Sequence, residues 1–128
     1  MAAATETLGN PMTDAFTGMW ENMLEFGSEN YLTFKGAMQH HGYAWEAHKV
    51  ETEDGFTLTT FHVTGKIDKD GNIVTREPTE APVLVQHGLG CDAATWLWMY
   101  LKGNPLPLTL YDEGFDVWLG NNRGTEYC

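Results

Sequence analysis

The apolar positions of this chain change their period from one stretch to the next. In TDAFTGMWENMLEF, Phe16, Met19, Trp20, Met23 and Leu24 fall at i, i+3, i+4, i+7 and i+8. That spacing lays one apolar stripe along a helix. Thr13 is placed to cap it, Asp14 puts a negative charge in its first turn, and Gly27 closes it. A weaker helical pattern runs through NYLTFKGAMQHH and stops near Gly42. In WEAHKVETEDGFTLTTFHVTG the pattern turns to alternating and β-branched residues around Asp54-Gly55. This predicts a hairpin with strands near 46–52 and 56–63. KIDKDGNIVTREPTE is polar and reads as a surface loop turning at Asp70-Gly71. PVLVQ, residues 82–86, is a continuous apolar run, the pattern of a strand buried on both faces in a parallel sheet. DAATWLWMYLKG predicts a helix capped by Asp92. A short helix follows Pro107 and ends at Gly114, and FDVWLGNN is a second buried strand. The second half is thus strand, helix, strand, an α/β unit with a right-handed crossover.

At 128 residues, the chain suits one domain or part of a larger one. Asp and Glu number 18 against 7 Lys and Arg, a net charge of -11. This speaks against nucleic acid, whose phosphates need clustered cations, and against anionic membrane surfaces. No apolar run reaches the ~20 residues of a spanning helix. MAAATETLGNPMTD has no basic n-region and no long apolar core, so no signal or transit peptide is visible. An intracellular protein or a processed organellar one would read this way. Two cysteines, Cys91 and Cys128, allow one bridge but make no disulfide framework.

Three stretches carry a resemblance: GYAWEAHKVETEDGFTL at 42–58, VLVQHGLGCDAATW at 83–96 and LYDEGFDVWLGNNRG at 110–124. In this order the chain resembles the N-terminal portion of the acid lipase family, the gastric and lysosomal lipases. The resemblance implies a partial α/β-hydrolase fold: an N-terminal hairpin and the first parallel strands and helices over residues 40–128. Residues 1–39 would be an N-terminal extension holding the amphipathic helix. It implies ester hydrolysis of an apolar lipid by a Ser-Asp-His triad, with no metal or other cofactor. It assigns Leu89, after His87-Gly88, one backbone N–H of the oxyanion hole. Gly88 and Gly90 would permit the tight turn, and His87 would support the loop by packing and hydrogen bonding rather than act as the base.

No residue of this chain is expected to be catalytic. The family carries a G-x-S-x-G elbow on its next strand, and the only serine here, Ser28, lies in GSEN before the first strand. Cys91 adjoins Asp92, which disfavours a thiolate, and reads as structural. Arg123 reads as closing the strand-end loop. Trp96, Trp98 and Trp118 read as core before acyl pocket. No metal site is expected. His40 and His41 are adjacent and point about 100° apart on a helix, and His48 and His62 read as solvent-facing. Asp68, Asp70 and Asn72 mimic a calcium loop, but Ile73 stands where that loop needs glycine and Thr79 where it needs glutamate. The strand Val83–Gln86 would lack its nucleophile-bearing neighbour, so a second protein chain is expected to cover that edge. Two functions follow: a lipase fragment that hydrolyses lipid esters once completed, or a catalytically inactive structural subunit of an assembly.

Overall fold

The computed structural model describes residues 33–98 and 103–128. The helix expected over 13–26, Ser28, and the continuation of the DAATWLWMYLKG helix past Trp98 lie outside the described residues. Thr33 opens helix α1 (Phe34–His41) by accepting the Gly36 N–H on its hydroxyl at 3.1 Å, and Gly42 ends it at φ 73°. Phe34, Ala37 and Met38 turn inward from this helix.

Strands β1 (Tyr43–Glu51) and β2 (Thr57–Ile67) pair antiparallel, with Glu46 opposite His62. The hairpin turns at Asp54-Gly55, where the Gly55 N–H reaches the Thr52 carbonyl at 2.9 Å. The polar stretch after β2 is more than a loop. The Asp68 carboxylate accepts the N–H groups of Asp70 and Asn72 at 2.9 and 2.8 Å, and the chain doubles back. Ile73–Thr75 then forms β3 against Gly65–Ile67. Gly65 permits the approach, because a Cβ there would stand 2.8 Å from the Val74 carbonyl oxygen.

The second half supplies β4 (Pro82–Gln86), α2 (Thr95–Trp98), α3 (Leu106–Asp112) and β5 (Asp116–Gly120). Helix α3 starts at Leu106, so Pro107 lies inside its first turn rather than before it. There a missing N–H removes no helical bond. Strand β4 runs parallel to β5, from Pro82 opposite Asp116 to Gln86 opposite Gly120. The sheet order is β1-β2-β5-β4, with β3 also on β2 and β5 antiparallel to β2. This mixed sheet with helices is a partial α/β architecture.

A single core cluster joins the described residues. Phe61, Val63, Val85, Val117 and Leu119 line one face of the sheet and pack with Phe34, Met38, Leu97 and Leu108 of the helices. The other face carries Glu46, His62, Trp118 and Leu84 in register across four strands. Leu84 is 61% exposed. PVLVQ is therefore buried on one face only, a correction to the reading of its continuous apolar run. Among the described residues, no helix covers its second face, and β5 is its only partner strand. No helix among the described residues is long and apolar enough to cross a membrane.

Candidate functional site

Strand β4 ends at Gln86 and delivers the chain into His87-Gly88-Leu89-Gly90. His87 is buried. Its Nε2 accepts the backbone N–H of Asn122 at 3.0 Å, so that nitrogen carries no proton. The ring proton is therefore on Nδ1, which donates to the Gly88 carbonyl at 2.9 Å. The same carbonyl accepts the Cys91 N–H at 3.2 Å.

This fixes the direction of the next amide. The Gly88 carbonyl and the Leu89 N–H belong to one peptide unit, and a planar trans peptide points them to opposite sides. With the carbonyl held by His87 and Cys91, the Leu89 N–H faces away from both. None of the described residues accepts it, and the Leu89 side chain is fully exposed. Gly90, at φ 73°, completes the turn in a region where a side chain would be strained.

The loop borders an open groove of about 580 Å³, lined by residues 87–92, Thr95, Trp98 and residues 122–126. Past the loop, Asp92 caps α2 by accepting the N–H groups of Ala94 and Thr95 at 2.8 and 3.3 Å. Two N–H groups of a helix entrance are thereby satisfied.

The other candidates separate. Cys91 lines the groove, and Cys91 and Cys128 are both free thiols. Trp98 lines the groove, Trp96 packs against the core, and Trp118 lies on the opposite face of the sheet stacked on His62. Arg123 grips the Asp54 carboxylate of the hairpin turn at 2.7 and 3.3 Å and lies over the Phe56 ring. The Thr52 hydroxyl and the Arg123 guanidinium together hold the Asp54 carboxyl below its ordinary range. Arg123 thus ties the strand-end loop to the hairpin. His41 joins α1 to α2 by bonding Nε2 to the Leu97 carbonyl at 3.1 Å, and burial depresses its pKa.

A family model described as the partial alpha/beta-hydrolase lipase region matches residues 34–100. The chain belongs to this lipase family. It is 36% identical to Lipase member M of Mus musculus over 99 residues, 77% of this chain and 22% of that protein. It is 41% identical to Triacylglycerol lipase 2 of Arabidopsis thaliana over 90 residues, covering 67% and 20%. With the Putative lysosomal acid lipase/cholesteryl ester hydrolase of Crotalus adamanteus it shares 42% over 87 residues, covering 67% and 20%. The chain spans about a fifth of the length of the curated relatives it matches.

The residue that sequence reasoning missed in this chain is Asn121. It is 3% exposed. Its Oδ1 accepts the Ala93 N–H at 2.9 Å, and its Nδ2 donates to the Thr59 carbonyl at 2.9 Å. One amide therefore binds β2 to the segment behind the glycine loop. The signal was its place in GNNRG directly after an apolar strand, where a polar residue continues the inward face of Val117 and Leu119. Asn121→Leu would leave a buried donor and a buried acceptor unpaired, at about 2–4 kcal/mol together. Its thermal midpoint is expected to fall by on the order of 10 °C. Thermal unfolding against Asn122→Ala, an exposed neighbour, checks it, and equal shifts in the two variants would contradict the bridging role.

Proposed function

We propose that this chain forms the oxyanion-donating part of a lipid-ester hydrolase and that another polypeptide segment supplies the nucleophile. The observation that carries the reading is the peptide 88–89. Its carbonyl is bonded back to His87 and Cys91, and its N–H stands unclaimed beside an open groove. An amide held in this way is set to stabilise charge on a tetrahedral intermediate without reorganising. The relatives' names point to triacylglycerols and cholesteryl esters as the substrate class.

The same reading assigns an occupant to the open edge of β4. Among the described residues nothing pairs with the backbone of that strand on the side away from β5. In an α/β sheet, ligands bind beyond the carboxyl ends of the strands. A strand added there, ending in a G-x-S-x-G elbow, would bring its serine to the end of the sheet where Leu89 stands.

The purified chain alone is expected to hydrolyse nitrophenyl esters at the rate of buffer, and the β4 amides that point away from β5 are expected to exchange rapidly. When co-purified with a segment carrying the elbow, it is expected to turn the ester over and to gain protection at 82–86. Turnover by the chain alone that Leu89→Pro abolishes would overturn this division of roles. A monodisperse monomer in which the β4 amides that point away from β5 are also strongly protected would show that the edge is closed from within. A complex protected at the edge but inert toward esters would favour the structural subunit.

A further inference from the structure

The face of the sheet that no described helix covers carries a second cluster, remote from the glycine loop in sequence. Glu46 and His48 project from β1 and His62 from the facing position of β2. One ligand atom from each of the three lies within 4.8 Å of the others. We propose that Glu46, His48 and His62 bind a divalent ion of the zinc class.

Four observations support the site. Donor atoms around tetrahedral zinc stand about 3.3 Å apart at bond lengths of about 2.0–2.2 Å, so small side-chain shifts suffice to close this set. His48 Nε2 is shielded from solvent and has no hydrogen-bond partner. It lies 3.5 Å from Glu46 Oε2, close enough for an ion pair but not aligned for a hydrogen bond. A metal would satisfy that nitrogen and the carboxylate together.

His62 is already held in place. Its ring stacks on Trp118 at 4.1 Å, and its Nε2 lies 2.6 Å from Asp116 Oδ1. Asp116 accepts the Trp118 indole N–H on its other oxygen at 3.0 Å. A carboxylate bonded to a ligating imidazole is the usual outer support of such a site. Two imidazoles and a carboxylate select borderline transition ions over calcium or magnesium, which prefer oxygen ligands. The ion would clip β1 to β2 on the face that no described helix covers. The inference does not depend on the proposed esterase role, and it departs from the expectation of no metal site.

The test uses the tag-free chain with cobalt(II) as a spectroscopic stand-in and zinc for calorimetry. One equivalent of cobalt is expected to give visible d–d bands, and zinc is expected to raise the thermal midpoint. Both effects should vanish in His48→Ala, a half-exposed position whose loss is expected to leave the circular dichroism spectrum of the fold unchanged. Asp116→Asn is expected to weaken zinc binding by about 10–100-fold. A Cys91→Ser/Cys128→Ser double variant should keep the bands. No bands and no thermal shift in the parent chain would overturn the proposal. So would bands that survive His48→Ala, or bands that disappear with the cysteines.

Discussion

Replacing Phe34 with alanine is expected to destabilise the protein by about 3–5 kcal/mol. The ring is 1% exposed. It stacks on Phe61 at 3.8 Å between centroids and meets the Trp45 ring edge-on at 5.2 Å. Removing it opens a cavity between the first helix and the middle of the sheet. Whole domains of this size are stable by only about 5–15 kcal/mol, so much of the chain should unfold at modest denaturant. Urea unfolding of Phe34→Ala beside Lys35→Ala, an exposed neighbour on the same helix, measures it. The comparison also tests the expected boundary between residues 39 and 40, since helix α1 spans that point. Equal midpoints for the two variants would make α1 a peripheral extension, and a large gap would make it part of the hydrolase core.

The second large effect is chemical. In any preparation that turns over esters with this chain present, Leu89→Pro is expected to lower kcat by about 10²–10³-fold. Proline removes the one N–H that the bonded Gly88 carbonyl directs outward. Leu89→Ala keeps that N–H and is expected to stay near the parent rate. Steady-state kinetics on the two variants separates backbone from side chain. A full rate in Leu89→Pro would remove the residue from the oxyanion site. Equal losses in both would move its role to the exposed side chain.

Much of this was legible in the sequence because it rests on local rules. Asp54-Gly55, Asp70-Gly71 and Gly42 mark turns that the backbone takes with glycine at positive φ. Asp92 was readable as a helix cap from its place before DAATW's helix. The glycine loop and DVWLGNNRG named the family, which the match over 34–100 bears out. What stayed hidden depends on pairing across distance. Ile73–Thr75 is three residues long and has no period to detect, and its place in the sheet follows from the missing side chain at Gly65. PVLVQ reads the same whether one face is covered or two. His62 reads as an exposed strand residue until the register sets Trp118 beside it. Trp118 then stacks on its ring, so the imidazole is partly enclosed rather than free in solvent.

The far end of the described chain is sewn to its start. The Phe34 N–H donates to the Tyr127 hydroxyl at 3.1 Å, and the Thr59 hydroxyl donates to the Tyr127 carbonyl. Burial pushes the Tyr127 phenol up to about 12, so it stays protonated in neutral solution. The two joined residues are 93 positions apart. On a ribosome adding about 5–20 residues per second, helix α1 therefore waits roughly 5–20 s for its fastener. During that interval the Phe34 ring can meet Trp45 and Phe61 of the hairpin, but the rest of that face waits for Leu97, Leu108, Val117 and Leu119. The growing chain then offers sticky surface to chaperones, and its final knot is tied only after nearly all of the sheet has been synthesised.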